Sequence, residues 1–146
     1  MRYFRLIVPL LGCIITSCSS TEMDQKRDVQ EKGDGYYPQK WELVKMTGTI
    51  VTGNDMAWEE YYELFKDGTF RKSRTYQGKT TEKEGTYTII SSPEVDYLEF
   101  TYTSKNNLIG NCSPEPKEFL KLNGPNELIS TWWACDGPGL FYEKAD

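Results

Sequence analysis

The sequence predicts an all-β protein, a small eight-stranded antiparallel up-and-down barrel over residues 36–146. Three observations predict it. Between Tyr36 and Asp146 the apolar residues recur in about eight short runs separated by turn signals, with no convincing long helix among them. The run DYLEFTYT alternates strictly, Leu98, Phe100 and Tyr102 on one face against Tyr97, Glu99, Thr101 and Thr103 on the other. Aromatic residues make up 14% of the chain and ten of them are tyrosines, a composition that suits pleated, half-buried surfaces better than helices. An antiparallel set of that number commonly closes on itself, because closure removes exposed strand edges.

Taken in order, KWELVKM supplies the first strand. YYELFKDGTFRKSRTY then supplies two strands joined across Asp67-Gly68, a dipeptide suited to turns that need positive φ. Trp58, Tyr61, Tyr62 and Phe65 also stand at helical spacing, but the aromatic content and the turn favour a strand. GTYTII puts Tyr87 and Ile89 on one face, DYLEFTYT follows, and Leu120 with Leu122 continue the alternation. ELISTWWAC and LFYEK complete the set. If the first of these is a strand throughout, the adjacent Trp132 and Trp133 face opposite sides and one of them lies outside.

The first 35 residues differ in kind. Arg2 and Arg5 precede an apolar run from Leu6 to Ile15, ten residues that as a helix would span about 15 Å, too short for a permanent membrane span. This predicts a secretory signal over residues 1–17. Ile15-Thr16-Ser17-Cys18 resembles the lipobox of bacterial lipoproteins, as does Leu10-Leu11-Gly12-Cys13. Cleavage before Cys13 would leave an apolar run of only Leu6 to Leu11, so length selects Cys18 as the acylated mature terminus and membrane anchor. At about 0.8 kcal/mol per buried CH₂, more than one acyl chain anchors stably. Residues 18–35 are polar and mixed in charge and cannot bury a face, which predicts a disordered tether with an end-to-end distance of roughly 20–25 Å.

Composition excludes several functions. Histidine is absent, which removes the usual general base near neutrality, the Ser/His/Asp and Cys/His nucleophilic pairs and the commonest ligand for transition metals. No enzyme activity, metal or cofactor is predicted. The 17 basic and 22 acidic side chains are not sorted into a basic tract, which argues against nucleic acid. Glu59 and Glu60, adjacent on a strand, point to opposite faces and cannot act together on one substrate. Glu82 and Glu84 share a face but read as a solvated hairpin end beside Lys79 and Lys83. Asp136-Gly137-Pro138-Gly139 reads as a turn, with no helix after it to face an anion.

Trp41-Glu42-Leu43, Phe65-Lys66-Asp67-Gly68-Thr69-Phe70, Gly85-Thr86-Tyr87 and Phe141-Tyr142-Glu143-Lys144, in this order behind an acylation site, resemble the small lipocalin-like domains of Bacteroidetes lipoproteins. The resemblance covers nearly all of residues 36–146. It implies a barrel in the bacterial cell envelope, on the outer membrane in preference to the inner, and a cavity for a small apolar or amphipathic ligand. Alternation then nominates Trp41, Leu43, Tyr87, Leu98, Phe100, Tyr102 and Trp132 as lining, residues that would serve equally as plain core. An alternative is a filled barrel whose outer surface meets an envelope protein or a glycan, with Trp133 and Tyr97 as contact residues. Cys112 and Cys135 remain after the signal pair, and export to an oxidising compartment predicts one disulfide between them. Relatives of this type often carry a cysteine shortly before the last strand, which Cys135 matches.

Overall fold

The computed structural model describes residues 37–48, 51–52 and 56–146. The predicted signal, the acylated Cys18 and the tether lie outside them. Nine strands occur among the described residues: β1 (Gln39–Met46), β2 (Val51–Thr52), β3 (Glu59–Leu64), β4 (Thr69–Tyr76), β5 (Lys79–Ile90), β6 (Tyr97–Tyr102), β7 (Lys117–Leu122), β8 (Glu127–Ser130) and β9 (Leu140–Lys144). All pairings are antiparallel. Each strand from β3 onward pairs with the next, β1 pairs with β3, and β9 returns to β1, so eight strands close a barrel. The two-residue β2 lies against the end of β1 beyond the reach of β3.

Local chemistry accounts for the turns. At the predicted hairpin, the Gly68 amide donates to Phe65 O and only Gly68 takes positive φ, 81°. The Asp67 carboxylate accepts from both the amide and the hydroxyl of Thr69, and these bonds hold its pKa below the ordinary carboxylate value. The β4–β5 turn places Gln77 and Gly78 at φ 50° and 74°, the backbone twist a two-residue hairpin needs.

Alternation sends Trp41, Leu43, Tyr62, Leu64, Phe70, Tyr87, Leu98, Phe100, Tyr102, Leu120, Leu128, Leu140 and Tyr142 into one buried core. Its centre is aromatic. Tyr62 and Phe100 stand 4.7 Å apart, Phe70 meets Phe100 and Tyr102 edge-on at 4.8 and 4.9 Å, and Tyr142 meets Tyr62 edge-on at 5.1 Å. The last three pairs set ring edges against ring faces, Tyr62 and Phe100 are tilted at 34°, and together the rings fill the axis with side chains.

Gly85 makes this packing possible on β5. A Cβ there would overlap the Thr101 carbonyl oxygen and press on the Phe70 ring. Gly85→Ala should therefore destabilise the barrel by about 1–3 kcal/mol, read as a lower urea midpoint, since backbone on one side and a buried ring on the other leave little room to yield.

The barrel has two unlike ends. Gln39 and Lys144 lie at the terminal end, where Trp41 pairs with Lys144. The β6–β7 and β8–β9 connections, residues 103–116 and 131–139, cover the other. Here one expectation is corrected. TWWAC does not continue β8; Trp132–Cys135 form a 3-10 helix closed by Asp136 at φ 69°. Its tighter winding takes the two tryptophans out of the sheet, so strand alternation does not govern them.

Candidate functional site

At the loop end the barrel interior changes from apolar to ionic. The alternation that buries Tyr62 and Leu64 also buries Glu60 on β3, that of Phe70 buries Lys72 and turns Arg74 inward on β4, and that of Leu120 buries Glu118 on β7. The β3–β4 register brings Tyr62 opposite Lys72 and Glu60 opposite Arg74. The side chains of Lys72, Glu60 and Glu118 have no solvent exposure.

Lys72 is the hub. Its Nζ lies 3.0 Å from Glu60 Oε1, 3.0 and 3.1 Å from the two Glu118 oxygens, and donates to the Leu108 carbonyl at 2.7 Å. Arg74 bonds Glu60 through Nε, reaches the Asn107 carbonyl at 3.4 Å and stacks over Trp58 at 4.5 Å. Glu60 also accepts from the Tyr142 hydroxyl at 2.6 Å, and Glu118 from the Tyr102 hydroxyl at 2.6 Å and the Gly110 amide at 3.1 Å. Two cations and two carboxylates thus balance inside the barrel. The Tyr62 hydroxyl beside them has no hydrogen-bond partner among the described residues.

Titration of this cluster should bound stability on both sides. Burial raises the pKa of Glu60, but the charges of Lys72 and Arg74 and the bonds from Arg74 and Tyr142 outweigh it, and the net lies below the ordinary 4.5. A carboxyl that ionises more readily folded than unfolded contributes stability above 4.5, lost as pH falls through the folded value. Burial, reinforced by the neighbouring carboxylates, holds Tyr62, Tyr102 and Tyr142 well above the ordinary 10.0. Their contribution is complete below pH 10.0 and is lost above it, because the unfolded phenols release protons that the folded ones keep. Absorbance of tyrosinate at alkaline pH should show these three of the ten tyrosines ionising only together with loss of the folded far-UV signal.

The ionic cluster also holds the loop. Leu108 is buried, its carbonyl on Lys72, and Gly110 packs its backbone against Glu118 and the Trp132 ring. Trp132 lies between Gly110 and Gly137, where a Cβ at either position would strike the ring. Cys112 and Cys135 are joined in a disulfide across the same two segments.

The sequence-predicted residues therefore fall into four places. Trp41, Leu43, Tyr87, Leu98, Phe100 and Tyr102 share the barrel core, with Tyr102 reaching the ionic cluster and Tyr87 donating to Phe65 O at 3.1 Å toward the terminal end. Trp132 is half-buried on the 3-10 helix, packed against that core from outside the sheet. Trp133 is 63% exposed at the loop end. Tyr97 does not join it: the first residue of β6, half-buried and paired with Lys121, it stands toward the terminal end.

The sequence reading does not single out Lys72, Arg74 and Glu118, and weighs Glu60 only as a neighbour of Glu59. The signal was present in their parity, because each shares a strand face with residues of the core. Their charge points to solvent, while their position along the strand points inward.

Fold and site together define a small closed antiparallel β-barrel with an interior filled by aromatic rings and a sealed ion network. No family model, no curated protein and no solved structure matches the chain.

Proposed function

We propose that the chain is a lipocalin-like envelope lipoprotein of the Bacteroidetes type, anchored through acylated Cys18 to the outer membrane. Its barrel is a non-catalytic binding module that works through its outer surface at the loop end. The observation that carries this reading is the filled interior. Tyr62, Phe100, Leu120, Leu128 and Tyr142 are wholly buried against one another, and the charges beyond them are matched and closed off. Side chains nominated as cavity lining are occupied with each other, which favours contact outside.

Trp133 supports the location. A large aromatic side chain standing mostly in water, on a segment fixed by a disulfide, offers contact area at little cost in ordering. Its end of the barrel is opposite the one where Gln39 begins β1, so a tether on the N-terminal side joins the barrel away from Trp133 and leaves that surface uncovered by the attachment. The partner chemistry is a glycan face or the surface of an envelope protein.

A second reading has one observation of its own. A cleft of about 680 Å³ beside β1, β3 and β4, lined by Leu43, Met56, Trp58, Thr75 and Gln77, would admit a small amphipathic ligand from outside the barrel.

Native mass spectrometry and a glycan array on the acylated mature protein separate the two. The surface reading expects an apo mass and binding that falls at least tenfold in Trp133→Ala but not in Tyr97→Ala. A retained molecule of discrete mass, released by Trp58→Ala, would transfer the function to the cleft. Cys18→Ala should abolish incorporation of labelled palmitate; label that persists would remove the anchor.

A further inference from the structure

β5 has twelve residues, but β6 pairs only with Gly85–Ile90. Among the described residues, Lys79 to Glu84 pair with β4 on one side and with no strand on the other, and no other backbone hydrogen bond reaches them. The closed barrel thus carries a projecting hairpin with one open edge. The Tyr87 amide donates to Gly68 O at 2.8 Å, on the β4 side. The register runs without a shift from Thr86 back to Lys79, so Lys79, Thr81 and Lys83 also direct their backbone groups to β4. Thr80, Glu82 and Glu84 direct theirs outward. Three amides and three carbonyls stand in a row on a hairpin already fixed by its turn and by a 2.9 Å contact between the Thr75 and Thr80 hydroxyls.

Charge decides what can dock there. Antiparallel pairing with a second copy must set outward-directed residues opposite one another. The register centred on Glu82 opposes it to its own copy. One step toward the turn opposes Lys79 to Lys83, and one step the other way opposes Glu82 to Glu84 and Lys83 to itself. Like charges directly opposite are unfavourable, so these three registers are penalised, and a register centred on Thr80, which opposes no like charges, leaves the Glu84 edge beyond the partner's turn. Arg71, across from Glu84 on β4, is taken by Glu63 through bonds of 2.8 and 2.6 Å, which leaves Glu82 and Glu84 free for a cation from elsewhere.

We propose that this edge accepts an extended segment of a partner protein by β-strand addition, one carrying basic side chains opposite Glu82 and Glu84 and an acidic one opposite Lys83. Backbone bonds from Thr80, Glu82 and Glu84 supply the attachment, and alternating charge supplies the choice of partner. The edge is independent of the Trp133 surface.

The test uses the full-length protein and two synthetic peptides, Val-Thr-Lys-Glu-Lys-Thr-Val and its charge-inverted form Val-Thr-Glu-Lys-Glu-Thr-Val, followed by amide NMR and hydrogen exchange. The first peptide should slow exchange at Thr80, Glu82 and Glu84 at least tenfold and leave Thr81 and Lys83 unchanged; the inverted peptide should not. Glu82→Pro removes an outward amide without touching the β4 ladder and should abolish the protection. Glu82→Lys with Glu84→Lys leaves the backbone intact and should reverse the preference. Trp133→Ala should leave peptide binding as it is. Absence of protection, equal response to both peptides, or protection that survives Glu82→Pro would overturn the proposal.

Discussion

Lys72→Met is expected to destabilise the domain by about 3–5 kcal/mol, the cost of leaving buried charge without its partner. The asymmetry of the cluster explains why the effect is large. Glu60 would keep Arg74 and the Tyr142 hydroxyl, but Lys72 is the one cation bonded to Glu118 among the described residues. Without it, Glu118 would have the Tyr102 hydroxyl and the Gly110 amide for support and would have to take up a proton or open the mouth to water. The Leu108 carbonyl would lose its 2.7 Å donor at the same time and keep only the 3.5 Å contact from Arg74. Removing charge on both sides has a different consequence. In Lys72→Met with Glu118→Gln no unpaired charge remains on β7, and the amide oxygen can still accept from the Gly110 N–H while its NH₂ donates to the Tyr102 hydroxyl oxygen. The pair should recover more than half of the loss. Urea midpoints of the two single variants and the double close the cycle. A double variant as unstable as the sum of the singles would mean that the two side chains matter through separate packing and not through each other.

The same cluster shows what the sequence could and could not disclose. Strands with one apolar face were legible: DYLEFTYT, YYELF and LFYEK fall within a residue or two of β6, β3 and β9, because alternation and the Asp67-Gly68 turn act locally. The barrel followed from strand number. Glu60, Lys72 and Glu118 lie far apart in sequence, and each alone would be costly to bury. Only closure, which carries β7 across the interior from β3 and β4, makes them affordable together. Parity could have flagged them, since Lys72 follows Phe70 by two residues and Glu118 precedes Leu120 by two. Trp132 and Trp133 failed for a different reason. The β8 strand ends at Ser130, where the Thr131 hydroxyl turns back to Phe119 O and the disulfide holds the chain in a 3-10 turn, so a long-range covalent link overrode a run of good strand formers.

That link carries the second large effect. Removing the disulfide, as Cys112→Ala with Cys135→Ala, should cost about 3 kcal/mol in the chain-entropy model for a closed loop of this length. The sequence separation is 23 residues, and the loop contains all of β7 and β8. The global figure is half of the expectation. Reduction also releases residues 103–116, whose contacts with the barrel include the Leu108 and Asn107 carbonyls on Lys72 and Arg74, the Gly110 amide on Glu118, Asn111 on the Lys117 carbonyl, the Pro116 carbonyl on the Tyr102 amide, and the Trp132 ring against Gly110. Apart from Leu108 and Ile109 those contacts are polar, so the segment should open locally before the barrel unfolds. Amide exchange at Gly110 should then accelerate by a larger factor than exchange in β6 or β9, and Trp132 fluorescence should shift toward that of a solvated indole. Uniform acceleration across all strands would show instead that the loop and barrel open as one unit. It would make the ion network, and not the disulfide, the element that holds the mouth closed.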